Sequence, residues 1–179
     1  VIAVAYRKFE PGKGVYSVAD ESDLILAGFI AFLDPPKESA APAIRALREH
    51  GVSIKILTGD SDVVTARICA EVGVEAGRII LGHEIDNLDD AALAEVADAA
   101  TVFAKVSPDQ KARVIEALQA RGRVVGFLGD GINDAPALRQ ADIGISVNTA
   151  VDIAKESADI ILLEKSLMVL DRGVMEGRR

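Results

Sequence analysis

The sequence predicts an α/β fold: a doubly wound parallel sheet, preceded by a short β segment from a second domain. Three observations carry that reading. From residue 39 onward, helical patterns alternate with strands through short connections, the order expected of βαβ units. The strands are apolar runs such as Val124-Val125-Gly126-Phe127-Leu128, which suits strands covered by helices on both faces. Gly51, Gly73 and Gly122 each stand just past a helical stretch, where a left-handed residue stops a helix.

Element by element, residues 1–33 read as strands: 2–9, 14–19 and the run 24–33, rich in β-branched and aromatic residues. "DPPKESAAP" then sets Pro35 and Pro36 in succession behind Asp34. Two fixed φ angles, and the restriction a proline places on its predecessor, make this stretch stiff and extended. It is a natural hinge, and it divides the chain into 1–33 and 34–179. Beyond it the chain reads as helix 39–50, strand 53–57, helix 62–72, strand 78–81 and a helix near 90–97. Strand 101–104, helix 108–120 opened by Pro108, strand 123–128 and a short helix 135–140 follow. Strand 143–147, a short helix after Ala150, strand 160–163 and a final helix from Ser166 complete the pass.

Bulk composition removes several classes of function. Half of the 179 residues are apolar, enough for a sizeable core without disulfides or structural metals. With 20 Lys and Arg against 28 Asp and Glu, the formal charge of −8 argues against a nucleic-acid surface, and so does the aromatic content of 4%. The single Cys69 can form no internal disulfide and reads as a small buried apolar residue, which suits a reducing, cytosolic setting. The longest uncharged apolar stretch, 24–33, is about half of the roughly 20 residues that cross a bilayer, and no signal pattern opens the chain. A soluble polypeptide is expected. "VIAVAYRKF" begins as a strand already in progress, which suggests a piece excised from something longer.

In open α/β sheets, ligands collect outside the carboxyl ends of the strands, so three strand ends matter. "IKILTGDS" offers Thr58, Gly59 and Asp60 ahead of a helix, where a hydroxyl and backbone N–H groups can face an anion; the same residues would equally serve as helix caps. "SPDQK" places Lys111 in a first helical turn, against the helix dipole; a nearby anion would account for it, and so would solvation of an exposed lysine. "GFLGDGINDAPAL" carries Asp130, Asn133 and Asp134, with glycines on either side of Asp130 that let the backbone approach a ligand closely.

Two close carboxylates repel by about 4 kcal/mol at an effective dielectric of about 20, and they repel phosphate as well. Mg²⁺ relieves the conflict, because it takes one or two carboxylates and leaves its other positions to water and phosphate oxygens. An acidic turn capping a helix at Ala135 is the competing reading. A hydroxyl with amides, an ammonium and a magnesium-binding acidic pair at one sheet edge make a phosphoryl-transfer site, in which positioning and charge neutralisation do most of the catalysis. No loop of the chain offers a convincing nucleophile.

At these residues the sequence resembles the P-type cation-transporting ATPases, a branch of the haloacid-dehalogenase-like phosphotransferases. "DPP", "TGD", "SPDQK" and "GDGINDAPAL" occur in that family's order, and the last is highly specific. The resemblance implies a haloacid-dehalogenase-like Rossmannoid sheet, Mg²⁺ as cofactor and ATP as substrate. It implies that Asp130 ligates the metal, with Asp134 supporting it or adding a further ligand. Asn133 would hydrogen-bond the phosphoryl group or order its loop, Thr58, Gly59 and Asp60 would surround the phosphoryl oxygens, and Lys111 would neutralise them.

Asp34, Pro35, Pro36 and Lys37 would form one strand of a hinge between the end of a nucleotide-binding domain and the major part of a phosphorylation domain. The family's phosphorylated aspartate lies in a "DKTGT" motif, which this sequence lacks, and the family's transmembrane cation pathway is missing as well. "FIAFLDPPKESAAPAI" and "ADIILLEKSLMVLDRGVMEGRR" are similar to the bacterial magnesium-transporting members. The expectation is therefore part of an ATP-driven magnesium importer on the cytoplasmic face of the cell membrane, partnered by the other domains of its parent chain and not by nucleic acid. By itself the chain should bind magnesium weakly and not turn over ATP. A soluble magnesium-dependent phosphatase with its nucleophile upstream, and a non-catalytic metal- or nucleotide-binding module, stay open on sequence grounds.

Overall fold

The computed structural model describes residues 1–12, 14–31, 35–164 and 166–178, and the chain divides into two compact units, Val1–Pro35 and Pro36–Arg179. In the first, β1 (Ile2–Tyr6) pairs antiparallel with β2 (Ile25–Ile30), and the register shifts between Val4 and Ala5. Apolar side chains of this ladder lie open, Phe29 being 69% exposed. A two-stranded ladder alone buries too little apolar surface to be stable in water. The strand expected over 14–19 does not form among the described residues. Val18–Asp20 is a 3-10 turn, closed by the Asp20 carboxylate accepting the Ser17 N–H at 2.9 Å, a local bond that competes with a ladder.

The second unit opens with α1 (Ala40–Glu49), β3 (Ile56–Leu57), α2 (Asp62–Glu71), β4 (Ile79–Leu81) and α3 (Gly82–Asp86). It continues through α4 (Asp90–Ala99), β5 (Val102–Ala104), α5 (Pro108–Ala120), β6 (Gly126–Leu128) and α6 (Ala135–Gln140). It closes with β7 (Ile143–Val147), α7 (Asp152–Glu156), β8 (Ile160–Leu162) and α8 (Met168–Gly177). The α/β class is as expected; the single sheet is not. The strands form two parallel three-stranded sheets, ordered β3-β5-β4 and β6-β7-β8, so β3 and β6 each keep one edge without a ladder partner among the described residues. An apolar run records that a strand is covered above and below, and says nothing about what lies beside it.

In the first sheet the side-chain period of two is used on both faces. Leu57, Ile80 and Phe103 face α4 and α5 through Leu93, Ala97, Val114 and Leu118, while Ile56, Ile79 and Val102 face α1 and α2 through Ile44, Cys69 and Val72. Cys69 is thus a core residue, and burial pushes its thiol up. In the second sheet Phe127, Ile145, Val147 and Leu162 meet Leu138, Ala154, Val169 and Leu170.

Two local departures have local causes. α3 escaped the periodicity because five residues carry too little pattern; the Glu84 carboxylate, accepting the Leu81 N–H at 2.8 Å, starts it. β6 begins at Gly126 and not at 123, because Arg123 is held by Asp98 at 2.9 and 3.0 Å and the Val125 N–H donates to the Asp142 carboxylate at 2.8 Å.

Candidate functional site

The carboxyl ends of β3, β5 and β6 lead into the loops that carry the expected site residues. After Leu57, the Thr58 N–H donates to the Phe103 carbonyl at 3.0 Å, extending the β3–β5 pairing by one rung. Thr58 Oγ1 donates to Asp60 Oδ2 and accepts the Asp60 N–H, both at 3.1 Å, so the two side chains close on each other around the exposed Gly59. Neither caps α2. That task falls to Ser61, which accepts the Val64 N–H at 3.4 Å and takes the hydroxyl of Thr65 on its carbonyl at 2.8 Å. The competing reading of Thr58 and Asp60 as helix caps is therefore corrected.

The β5 loop is stitched to the β3 loop. The Lys105 N–H donates to the Asp60 carbonyl at 2.9 Å and the Val106 N–H to the Thr58 carbonyl at 3.1 Å. Lys105 adopts φ of +54°, a left-handed conformation uncommon outside glycine, and its ammonium pairs with Asp62 at 3.0 Å. That hydrogen bond is the main reason the Asp62 carboxyl lies below its ordinary range. Sequence reasoning passed over Lys105, although its place one residue beyond a strand end was a usable signal.

α5 begins with Pro108 behind the cap Ser107, whose hydroxyl accepts the Gln110 N–H at 3.2 Å while Gln110 returns the bond to the Ser107 N–H at 2.9 Å. This start aims Lys111 inward. Only 8% exposed, it donates to Asp134 Oδ1 at 2.7 Å, so it is not a solvated lysine. The anion that offsets its unfavourable dipole position is Asp134, itself mostly buried.

Asp134 stands immediately ahead of α6 without capping it. Its second oxygen turns back to accept the N–H groups of Asp130 at 3.2 Å and Gly131 at 3.1 Å. The reading of this turn as a forward helix cap is corrected as well. A carboxylate that accepts from an ammonium and two amides carries compensated charge. Gly129 is required here, since a Cβ on it would lie 2.5 Å from Asp134 Cβ.

Asp130 is exposed, its side chain makes no hydrogen bond among the described residues, and its carbonyl accepts the Val151 N–H at 3.2 Å. Asn133, in the 3-10 turn Ile132–Asp134, is likewise exposed.

Lys111, Asp134 and the Asp130 loop are therefore in direct contact. Thr58, Gly59 and Asp60 reach them through the segment 105–111, with no hydrogen bond between the two groups. Pro35 and Pro36 lie on either side of the division between the units, and Asp34 lies outside the described residues. Among the described residues, no group of three or more His, Cys, Asp or Glu could enclose a metal. The donor set fits a hard cation that keeps most of its water and takes one or two carboxylates, as magnesium does; it does not fit a calcium or zinc cage. No helix among the described residues is long and apolar enough to cross a membrane.

Residues 4–142 match the haloacid dehalogenase-like hydrolases. Over 179 residues the chain is 60% identical to "Magnesium-transporting ATPase, P-type 1" of Escherichia coli strain K12, covering 100% of this chain and 20% of the relative; one Salmonella typhimurium LT2 protein of that name matches at the same identity and coverage. It is 42% identical over 162 residues to a probable cation-transporting ATPase F of Mycobacterium tuberculosis, covering 87% of the chain and 18% of that protein. The chain thus spans about a fifth of the length of these curated relatives. Among solved structures it is similar to the catalytic domain of a CPx-ATPase, with 26% identity and a TM-score of 0.55 over 88% of this chain and 50% of that one. A zinc-transporting PIB-type ATPase matches with 29% identity and a TM-score of 0.65, over 87% of this chain and 22% of the other.

Proposed function

The chain belongs to the haloacid dehalogenase-like hydrolases, and from that premise we propose that it forms the major part of the phosphorylation domain of a magnesium-transporting P-type ATPase. Residues 1–33 are then the end of the nucleotide-binding domain, and Asp34 to Lys37 belong to the hinge. The observation that carries the reading is the buried Lys111 ammonium bonded to Asp134, whose other oxygen holds the backbone of Asp130. An ammonium has three donors, and Asp134 takes one, which leaves donors for phosphoryl oxygens. Asp134 acts from behind, fixing Lys111 and the loop, and leaves Asp130 to ligate the metal. Thr58 Oγ1 and the Gly59 amide bind the transferred group, Asp60 sets the Thr58 rotamer, and Asn133 hydrogen-bonds the same group or orders its loop. Mg²⁺ at Asp130 supplies charge neutralisation for the phosphoryl oxygens.

The acceptor aspartate belongs to a part of the parent protein outside these 179 residues. The edges of β3 and β6 that have no ladder partner among the described residues, on the strands that carry the Thr58 and Asp130 loops, are the places where another strand could join. ATP is the substrate and Mg²⁺ the cargo, carried by membrane helices of the parent with this domain on the cytoplasmic face. A stand-alone phosphatase is not favoured, because the relatives that match the whole chain at 60% identity carry the name of magnesium-transporting ATPases.

Incubation with γ-labelled ATP tests the reading. The parent protein should acquire an acid-stable, hydroxylamine-sensitive label that Asp130→Asn abolishes or prevents from turning over, while the 179-residue chain alone stays unlabelled. A hydroxylamine-sensitive label on the chain alone, or normal phosphorylation and transport in Asp130→Asn, overturns it.

A further inference from the structure

β6 and β7 run in register up to Leu128 and Ile145, and the Gly129 N–H still reaches the Ile145 carbonyl at 3.0 Å. There the chain leaves the sheet, and the Gly129 carbonyl is taken by a side chain: Ser146 Oγ, fully buried on β7, donates to it at 2.8 Å. The N–H of the same peptide unit belongs to Asp130 and donates to Asp134 Oδ2 at 3.2 Å. One peptide plane is thus held at both ends, by Ser146 on its oxygen and Asp134 on its nitrogen, and from that plane the Cα–Cβ bond of Asp130 departs. Asp134 in turn holds Lys111.

We propose that Ser146 is a positioning residue for the phosphoryl-transfer site: its hydroxyl fixes the Gly129–Asp130 peptide and through it the direction of the Asp130 carboxylate. The inference rests on the assignment of Asp130 as the magnesium ligand. Among the described residues this buried serine has no other side-chain hydrogen bond, and its neighbours along β7 on the opposite face, Ile145 and Val147, are apolar core. Without the hydroxyl, the Gly129 carbonyl has no donor at that position and the peptide can rotate, which spreads the orientations of Asp130.

The test uses the full-length parent ATPase as wild type, Ser146→Ala and Ser146→Thr, with phosphoenzyme formation titrated against free Mg²⁺. Ser146→Ala should raise the half-saturating Mg²⁺ about fivefold, the size of one neutral hydrogen bond, with its maximal phosphorylation changed less. Ser146→Thr, which keeps the hydroxyl, should return to within about twofold of wild type. Hydrogen exchange of the peptide bearing Asp130, followed by mass spectrometry in the same protein, should accelerate in Ser146→Ala and not in Ser146→Thr.

Unchanged half-saturation in Ser146→Ala, or phosphorylation that falls only in step with melting temperature, overturns the proposal. Should Ser146→Ala not fold, Ser146→Cys, with similar volume and a weak donor, makes the same comparison. A wild type that forms no magnesium-dependent phosphoenzyme refutes the transporter reading; the exchange measurement then decides the peptide clamp by itself.

Discussion

Replacing Asp134 by alanine removes three interactions at once: the 2.7 Å bond from Lys111 and the two amide bonds from Asp130 and Gly131 at 3.2 and 3.1 Å. The largest part of the cost is the ammonium left behind. Lys111 is 8% exposed, and stranding one member of a buried pair costs about 3–5 kcal/mol. The two amides lie at the edge of the loop and recover part of their loss to water, so the total should stay near about 4 kcal/mol and not reach the sum of separate bonds.

A domain of this size moves about 2–4 °C in melting temperature per kcal/mol, which puts the expected fall at about 8–16 °C. Urea unfolding of the chain gives the free energy, provided the slope of the transition is unchanged. Lys111→Met should cost a similar amount, and the double variant should be more stable than either single one, because no uncompensated charge remains. A loss below about 1 kcal/mol in Asp134→Ala, or single effects that simply add in the double variant, would refute the picture of a buried ion pair.

Ser61→Ala should destabilise the chain by about 1 kcal/mol through loss of the α2 cap, and an NMR spectrum should show the Thr58 and Asp60 resonances little moved. Asp130→Asn should change stability by less than about 0.5 kcal/mol, since its side chain is exposed and unbonded, while weakening Mg²⁺ binding followed by chemical-shift titration.

Stability should fall in acid. Asp62 through Lys105, Asp98 chiefly through Arg123, Asp142 chiefly through the Val125 N–H and Glu84 chiefly through the Leu81 N–H all lie below the ordinary carboxylate range. A folded-state pKa lower than the unfolded one contributes stability that is complete above the unfolded value of about 4 and is lost as pH drops through the folded value. Melting temperature should therefore be flat with respect to these groups above about pH 5 and decline below about pH 4. A melting temperature that rises on acidification through this range would contradict the assignment.

Much of the site was legible because its signals are local. A glycine-flanked Asp130, a lysine in the first turn after "SP" and a Thr-Gly-Asp behind an apolar run each announce unusual chemistry within a few residues. Helix limits were legible for the same reason: α5 begins at a Ser-Pro cap and stops ahead of Gly122, and both signals lie within two residues of the helix ends. α3 was not, because one buried apolar side chain, Ile85, makes no periodicity.

What the residues alone determine is the α/β class, the identity of the strand-end loops and the kind of charge each loop brings, since all of these follow from pattern over a few neighbours. Only the tertiary structure decides how that charge is distributed. Asp134 faces Lys111 and the loop amides while Asp130 faces out, Ser61 caps in place of Thr58, Ser146 grips Gly129 from another strand, and the six parallel strands pair as two groups of three. The Ser61 cap and the Asp134–amide bonds are local contests among residues a few positions apart, settled by hydrogen-bond geometry; the others are choices among partners far apart in the chain, and a linear pattern carries no record of such distances.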